Sequence, residues 1–372
     1  GTDFRYATEI GIGKAGGQTH IYIKGSGDPT LGSWRWKNHS ESEVMSRITQ
    51  SIRRSGVSSV GQIFMDDKKW QAELVPDGWI WQDVGNYYGA GPEVLNWREN
   101  QYDLVLRSGS NLGDPVSVVS TKPFLYHYSF QSYVTSAAKG SGDQSYIYLP
   151  LGGLEGTVRG TIPINENGFV ISGAMPSPRK QFIATLSDSL SAYSIAVTNN
   201  KTTSSSDSVR IIHRENSPSL DSIIYWFLRK SINLYGEALA KSFAFQANDY
   251  ASITNGVKRL KDFWVQQGIA KTELNMYDGS GLSPLNRVTT NAQVKVLQYA
   301  RSRPWYKGFY DGFPEFNGMK MKSGTISGAK GFCGYHRSNS GQEYIFSFIV
   351  NNYNGGASAL VQKMYKVLDE LK

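Results

Sequence analysis

Two segments in the C-terminal half of the chain bring together residue types that could do chemistry. Ser231 and Asn233 stand two residues apart where one helical pattern ends and another begins, so a hydroxyl and a carboxamide can face one cleft. Lys322-Ser-Gly-Thr325 lies in a strand-like run, in which alternation sends Lys322 and Gly324 to one face. A cation, two hydroxyls and a main-chain N–H beside a glycine could hold a carboxylate and a developing oxyanion.

Each segment also has a purely structural interpretation. Ser-x-Asn is a common loop sequence and serves as a helix cap. Lys322 could be an ordinary lysine on an edge strand with a glycine bulge. A third segment, Asp278-Gly-Ser-Gly-Leu-Ser283, is best explained as a rigid turn whose polar groups bond to their own backbone.

The elements that would position these residues change in character near residue 212. Before it, Gly, Pro, Asn and Ser clusters separate short alternating runs that predict strands, and a helix is predicted over 41–55. The strand-like runs are Thr19–Lys24, Gly61–Met65, Leu104–Arg107, Tyr146–Leu149 and Phe182–Thr185. The Ser/Thr/Asn-rich segment 199–208 is predicted to be a surface hairpin tip or a linker.

After residue 212 the helical period dominates. Ser217 followed by Pro218 predicts an N-cap and a first helical residue. Further helices are predicted over 234–243, over 256–267, after Thr290 and over 357–371, with strands over 320–325, 331–336 and 343–350. This order predicts an α/β layer structure.

Composition excludes several classes of function. The 372 residues carry a net charge of +8 that is spread along the chain, which does not indicate a nucleic-acid-binding surface. The longest apolar stretch, Ile223–Leu228, is far too short to span a membrane. Cys333 is the single cysteine, so no internal disulfide can form. The five histidines show no paired ligand spacing, which argues against a zinc peptidase.

Four motifs in a fixed order carry a resemblance to a known family. They are Ile21-Tyr-Ile-Lys-Gly-Ser-Gly-Asp-Pro-Thr-Leu-Gly32, Lys230-Ser-Ile-Asn-Leu-Tyr-Gly-Glu237, Asp278-Gly-Ser-Gly-Leu-Ser283, and Lys322-Ser-Gly-Thr-Ile-Ser-Gly328 with Gly334-Tyr335. Ser-x-Asn followed at a distance by Lys-Ser/Thr-Gly is the pattern of active-serine penicillin-recognising enzymes. The chain resembles the serine-type D-Ala-D-Ala carboxypeptidases and endopeptidases of the penicillin-binding-protein-4 class over nearly its whole length.

The resemblance implies an α/β fold: a transpeptidase- or beta-lactamase-like domain with a large inserted region of two smaller β-rich domains. The transpeptidase-like domain would comprise residues 1–18 plus 213–372. The inserted domain II would comprise 19–89 plus 171–212, and domain III, nested within it, would comprise 90–170.

The resemblance also implies a reaction and roles for six residues. A serine would attack a peptidoglycan stem peptide ending in D-Ala-D-Ala, or a crosslink between stems, and form an acyl-enzyme. Ser231 would relay a proton to the leaving amine, Asn233 would hold the substrate amide, and Lys322 would keep the pocket positive. Ser323 and Thr325 would bind the terminal carboxylate, while Gly324 lets the substrate approach and the Thr325 N–H forms half of the oxyanion hole. Beta-lactams would bind the same site, and no metal or other cofactor would be required. The protein would be bacterial and would lie in the periplasm or elsewhere outside the cytoplasm.

The chain departs from the family pattern in two ways. Ser323 stands where the family usually has threonine, which keeps the hydroxyl. The family's Ser-x-x-Lys, which supplies the nucleophile and its base, is expected about one helix upstream of Thr2. Three internal matches, Ser136–Lys139, Ser177–Lys180 and Ser327–Lys330, are interpreted as chance occurrences. The sequence as it stands is therefore expected to lack the nucleophile and to be inactive alone.

An alternative from a different class stays open. A non-catalytic relative could bind peptidoglycan or a protein partner, with aromatic residues such as those of 85–91 and Trp97 stacking on sugars. Genomic sequence upstream of Thr2 would distinguish the two. The resemblance also leaves homo-oligomerisation open, through the face that a nucleophile helix would cover.

Overall fold

The structure is a computed structural model that describes residues 1–198 and 208–372. Nearly all of the segment 199–208, predicted to be a hairpin tip or linker, lies outside the described residues. The described strands, numbered along the chain, are β1 (Ala7–Ala15), β2 (Gln18–Lys24), β3 (Ser59–Val60), β4 (Ile63–Asp66), β5 (Gln101–Arg107), β6 (Ser117–Lys122), β7 (Ser129–Ala137), β8 (Gln144–Tyr148), β9 (Glu155–Pro163), β10 (Asn167–Ala174), β11 (Ala196–Val197), β12 (Arg210–Asn216), β13 (Leu274–Asn275), β14 (Arg287–Val288), β15 (Glu315–Phe316), β16 (Met319–Ile326), β17 (Ala329–Arg337) and β18 (Glu343–Asn351). The described α-helices are α1 (Glu41–Arg54), α2 (Trp81–Val84), α3 (Pro178–Ser191), α4 (Leu220–Lys230), α5 (Asn233–Gln246), α6 (Ile253–Gln266), α7 (Thr290–Arg301), α8 (Tyr306–Gly312) and α9 (Ala357–Leu368).

The C-terminal sheet has the strand order β15-β16-β17-β18 and is antiparallel throughout. On one face, Met321 and Phe332 pack in a buried cluster with Met364 of α9. Because side chains alternate across a strand, Lys322 is directed to the opposite face, where Tyr335 packs with residues of the α7–α8 region. The alternating sequence of β16 thus puts apolar residues under α9 and leaves Lys322 on the other side.

The N-terminal sheet has the strand order β12-β1-β2-β4 and is covered by α1 and α3. Gly16 and Gly17 connect β1 to β2 with φ values of +56° and +75°, a backbone conformation that glycine adopts readily. The predicted division between residues 18 and 19 falls inside this hairpin, because β1 pairs with β2 and β12 and not with a described strand of the C-terminal sheet. The predicted domain limits stay predictions.

Two further sheets, β10-β5-β6 and β7-β9-β8, share one buried core in the middle of the chain. The predicted strand at Phe182–Thr185 is wrong, since these residues lie within α3. Pro178 at the first turn favours a helix start, and Phe182, Leu186 and Leu190 repeat at helical spacing and are fully buried.

Helix α4 begins two residues later than predicted, with Ser219 as its N-cap. The side chain of Ser217 is used elsewhere: its hydroxyl accepts a hydrogen bond from the Tyr6 N–H at 2.9 Å and donates to the Pro218 carbonyl. The remaining predicted C-terminal helices and strands agree with the structure to within a few residues at each end. No helix in the described ranges is long and apolar enough to cross a membrane.

Candidate active site

Ser231 lies at a break between α4 and α5. It ends α4 in the left-handed conformation, with φ of +55°, and Ile232 is extended before α5 begins at Asn233. A left-handed non-glycine residue costs about 1–2 kcal/mol, so the surrounding structure must hold it there. The break leaves Ser231 exposed and Asn233 half-buried.

Lys322 joins the two candidate motifs. Its Nζ donates hydrogen bonds to Ser231 Oγ at 2.7 Å and to the Ser323 carbonyl at 2.8 Å, although Ser231 is 91 residues away along the chain. Within residues 1–198 and 208–372, no ion pair connects Lys322 to a carboxylate. Burial lowers the pKa of Lys322, and the nearby charge of Lys330 lowers it further. The result is an unneutralised cation that holds one hydroxyl.

The inserted region fixes the side chain of Asn233. Asn233 Nδ2 donates to the Tyr88 carbonyl at 2.8 Å, which leaves the amide oxygen available as an acceptor. Beside Tyr88 lies a cavity of about 360 Å³ that is lined in part by Tyr87, Gln144 and Tyr146. Its volume lies at the lower end of the range of roughly 300–1,000 Å³ that is typical of ligand sites.

The outer edge of β16 is open next to this junction. β15 pairs only with Met319 and Lys320, so from Ser323 onward the edge has no strand partner among the described residues. Gly324 is exposed, and a Cβ added there would meet no atom within 4 Å. An extended peptide could therefore lie along this edge as an added strand.

The structure brings Ser231, Asn233 and Lys322 together, whereas strand alternation directs the side chains of Ser323 and Thr325 to the other face of β16. Ser231 and Lys322 are in direct contact, and Asn233 follows on the first turn of α5. Ser323 is half-buried and Thr325 is exposed on the same strand as Lys322. The roles assigned to these residues stay predictions.

Sequence reasoning missed three residues at this site. Lys330 donates to Thr325 Oγ1 at 2.6 Å, and the tight turn between β16 and β17 places the two residues opposite each other. Hairpin register could have predicted this pair. Cys333 lies opposite Lys322, where burial raises the pKa of its thiol to about 11, so the thiol is protonated at neutral pH and is a poor nucleophile. The contact of Tyr88 with Asn233 spans 145 residues and has no local signal.

The three internal Ser-x-x-Lys matches do not form helical Ser–Lys pairs. Ser136 is buried in β7, where its hydroxyl accepts from the Gly109 N–H. Ser177 precedes α3 as its N-cap, and Ser327 lies in the turn after β16. Trp97, named above as a sugar-stacking candidate, is fully buried and cannot take that role, whereas Tyr87 is 51% exposed.

The Asp278–Ser283 loop holds α5 in place. Glu237, one turn after Asn233, is fully buried and accepts hydrogen bonds from the Gly279 and Ser280 N–H groups at 3.0 and 2.8 Å. Asp278 accepts from the N–H groups of Gly281 and Ser283 within its own loop. The interpretation as a rigid turn therefore agrees with the structure, and the turn also supports the helix that carries Asn233.

Replacing Gly279 by alanine tests this support. The backbones of α5 and the loop touch there, because a Cβ at residue 279 would lie 2.3 Å from the Gly236 carbonyl oxygen. We expect Gly279→Ala to lower the free energy of unfolding by about 2–3 kcal/mol, measured by urea denaturation. Gly308→Ala in α8 is the control, since its Cβ would meet no atom within 4 Å and should leave stability unchanged or slightly higher. Equal stability of the two variants would contradict the tight crossing.

Comparison with known proteins finds relatives that cover most of the chain. A D-alanyl-D-alanine carboxypeptidase of Actinomadura sp. (strain R39) is 24% identical over 97% of this chain and 72% of the relative. The D-alanyl-D-alanine carboxypeptidase DacB of Haemophilus influenzae is 21% identical over 91% of this chain and 73% of the relative. The crystal structure of penicillin binding protein 4 from Haemophilus influenzae matches with a TM-score of 0.80 at 19% identity, covering 100% of this chain and 87% of that one. The same protein complexed with a novel beta-lactam matches with a TM-score of 0.74 at 18% identity, covering 100% of this chain and 86% of that one.

These matches confirm the fold class and the resemblance to the penicillin-binding-protein-4 class. The matching family model carries the description D-Ala-D-Ala carboxypeptidase 3 (S13) family and aligns with residues 1–315. It thus includes the α4–α5 junction and the Asp278–Ser283 loop and ends just before β16. With most of its length matched, the chain belongs to the D-Ala-D-Ala carboxypeptidase 3 (S13) family.

Proposed function

We propose that this chain supplies the substrate-binding edge and the proton relay of a serine-type D-Ala-D-Ala carboxypeptidase and endopeptidase that acts on peptidoglycan stem peptides. The observation that carries the proposal is the hydrogen bond of 2.7 Å from Lys322 Nζ to Ser231 Oγ. A hydroxyl held by an unneutralised ammonium group at an open strand edge is suited to passing a proton to a departing amine.

The proposed reaction proceeds through an acyl-enzyme. A serine gives its hydroxyl proton to its lysine base, and the serine oxygen attacks the carbonyl carbon of the penultimate D-Ala. The Thr325 N–H together with the nucleophile's own N–H stabilises the resulting oxyanion. The C–N bond then breaks, and the leaving amine takes a proton through Ser231. Water finally hydrolyses the ester and restores the serine. Asn233 holds the substrate amide throughout.

We further propose that the nucleophile and its lysine base belong to a segment outside this sequence. Two surfaces support this, one on α4, which leads into Ser231, and one at the β18 edge of the C-terminal sheet, away from β16. The apolar residues of α4 from Ile224 to Leu228 are only half-buried, and β18 pairs only with β17 among the described strands. Apolar helix faces and long open strand edges are normally covered by further chain.

The cavity beside Tyr88 supports a substrate larger than a dipeptide. Tyr88, whose carbonyl accepts a hydrogen bond from Asn233, lines this cavity. The cavity could receive the part of the stem before the scissile bond, so a crosslinked stem would fit the site as well as a free one. Because peptidoglycan lies outside the cytoplasmic membrane, we propose a periplasmic or other extracytoplasmic location. Beta-lactams would occupy the same edge of β16.

Labelled penicillin tests the proposal. A polypeptide of this sequence alone is expected to retain no label after denaturation, because the attacking serine is absent. The same polypeptide preceded by its natural upstream segment is expected to retain about one label per chain, on a serine of that segment. Label found by peptide mapping on Ser136, Ser177 or Ser327 would contradict the absent nucleophile. Failure of both polypeptides to retain label would contradict the acyl-enzyme proposal.

A further inference from the structure

Lys241 is a buried cation that the proposed reaction does not use. It lies on α5, about two turns after Asn233, and is fully buried. Its Nζ donates to the carbonyl oxygens of Gln71, Glu73 and Pro92 at 3.2, 3.0 and 2.8 Å. Because an ammonium group has three protons, these contacts use all of its donors.

The three carbonyls lie at the two ends of one loop. The wall loop, residues 74–91, runs from the first pair of these carbonyls to the third. Its ends are in backbone contact, since a Cβ added at Gly91 would lie 1.7 Å from the Leu74 carbonyl oxygen. A loop whose ends meet can open as a unit unless its base is fixed. Lys241 fixes this base by tying both ends of the loop to α5.

The wall loop carries the hydrogen-bond partner of Asn233. The Tyr88 carbonyl accepts from Asn233 Nδ2 at 2.8 Å. Earlier in the loop, Trp79 Nε1 donates to Asp278 Oδ2 at 3.0 Å, which ties the loop to the neighbouring rigid turn. Helix α5 therefore supports Asn233 twice: directly, as the helix's first residue, and through the wall loop that Lys241 holds.

Removing this ammonium group would free the base of the loop. Burial lowers the pKa of Lys241 to about 8, although the charges of Glu93 and Glu237 oppose the shift, so most of the side chains are protonated at neutral pH. Hydrogen bonds from a charged donor are stronger than those between neutral groups. A neutral side chain of similar length would withdraw that donor from all three carbonyls at once.

We propose that Lys241 is a positioning residue for the active site: by fixing the base of the wall loop, it holds the Tyr88 carbonyl and so orients the Asn233 amide. The effect on the reaction rests on the proposed function, whereas the contact with the loop rests on the hydrogen bonds of Lys241. Lys241 does not touch substrate in this assignment and acts through Asn233. A displacement of about 1 Å in a group that orients substrate can slow a reaction by about two orders of magnitude.

Hydrogen–deuterium exchange followed by mass spectrometry tests the hold on the loop without any reaction, on the polypeptide of this sequence. In Lys241→Met the wall-loop amides are expected to exchange about tenfold or more faster than in the wild type, while α9 keeps its wild-type rate. Lys241→Gln, which keeps two donors on a shorter chain, is a milder variant and should show a smaller acceleration. Leu190→Ala, a buried change in α3, is the control and should not speed exchange selectively in the wall loop. Wild-type exchange of the wall loop in both Lys241 variants would overturn the proposal.

Acylation by labelled penicillin, in the protein that carries its nucleophile segment, tests whether Lys241 acts through Asn233. Lys241→Met is expected to slow acylation by about tenfold to a hundredfold, and Leu190→Ala to leave it within about threefold of the wild type. In an Asn233→Ala background, Lys241→Met should slow acylation by no more than about threefold further, because the amide that it orients is gone.

Two acylation results would overturn the positioning role: an unchanged rate in Lys241→Met, or its full effect in the Asn233→Ala background. The second result would indicate that Lys241 has a structural role only. Failure of the proposed function gives a different result. Faster exchange of the wall loop in Lys241→Met, with no acylation of the wild type, would support the hold on the loop and contradict the peptidase assignment.

Discussion

Replacing Lys322 by methionine is expected to slow acylation by penicillin by about two to four orders of magnitude in the protein that carries its nucleophile segment. The substitution keeps the length of the aliphatic chain but removes the ammonium group that holds the Ser231 hydroxyl at 2.7 Å. Without it the hydroxyl can rotate away, and the positive potential along the edge of β16 falls. Stopped-flow acylation with a fluorescent penicillin measures the rate.

Lys320→Met is the matched control for this prediction. Lys320 lies two residues earlier on the same strand and makes no contact with Ser231 in the described structure. Its replacement by methionine removes the same charge as Lys322→Met. We expect its acylation rate to stay within about threefold of the wild type, in line with the small effect of a partly exposed charge. A Lys322→Met protein that acylates as fast as the Lys320→Met protein would remove Lys322 from the mechanism.

The second large effect concerns stability and pH. Burial, and then the negative charge of Asp278, raises the pKa of Glu237 from 4.5 to about 7, although two backbone N–H groups partly oppose the shift. The folded protein therefore keeps a proton that the unfolded chain releases between about pH 4.5 and 7. The free energy of unfolding must fall as the pH rises through this window, by up to about 3 kcal/mol from this residue.

Glu237→Gln isolates this contribution. Glutamine has the shape of the protonated side chain and does not titrate, so the variant should lose much less stability than the wild type between pH 5 and pH 8. Glu93, whose pKa burial also raises to about 7, keeps a residual slope in both proteins. Glu370→Gln, an exposed change, should leave the wild-type slope unaltered. Urea denaturation at pH 5 and pH 8 measures the free energy of unfolding of each variant. If this free energy changes with pH as steeply in Glu237→Gln as in the wild type, the backbone N–H groups keep the Glu237 carboxylate ionised.

Local patterns predicted much of the C-terminal half. The junction at Ser231, the helix over 256–267 and the three strands from residue 320 onward all follow from short-range periodicity and from glycine positions, and the structure agrees with them. Strand alternation predicts that Lys322 and Met321 lie on opposite faces of β16. In the structure Met321 packs under α9, and Lys322 lies on the other face.

Errors and omissions came from contacts that local pattern does not encode. Phe182–Thr185 alternates over too few residues to exclude a helix. The packing of Phe182, Leu186 and Leu190, at helical spacing, in one buried core favours the helix. The pairing of β1 with β12 has no local signal, because it depends on a strand about two hundred residues away. The contact of Lys330 with Thr325 depends on hairpin register, which the Ser-x-x-Lys spacing does not encode.

The central claim is that Ser231 and Lys322 act as one unit, and a double-mutant cycle on penicillin acylation tests it most directly. Ser231→Ala, Lys322→Met and the double variant are compared with the wild type in the protein that carries its nucleophile segment. If the hydrogen bond between them carries the proton relay, the second substitution should add little once the first is made, which corresponds to a coupling of about 2 kcal/mol or more. Fully additive effects would mean that the two residues act independently, and the proposed relay would be wrong.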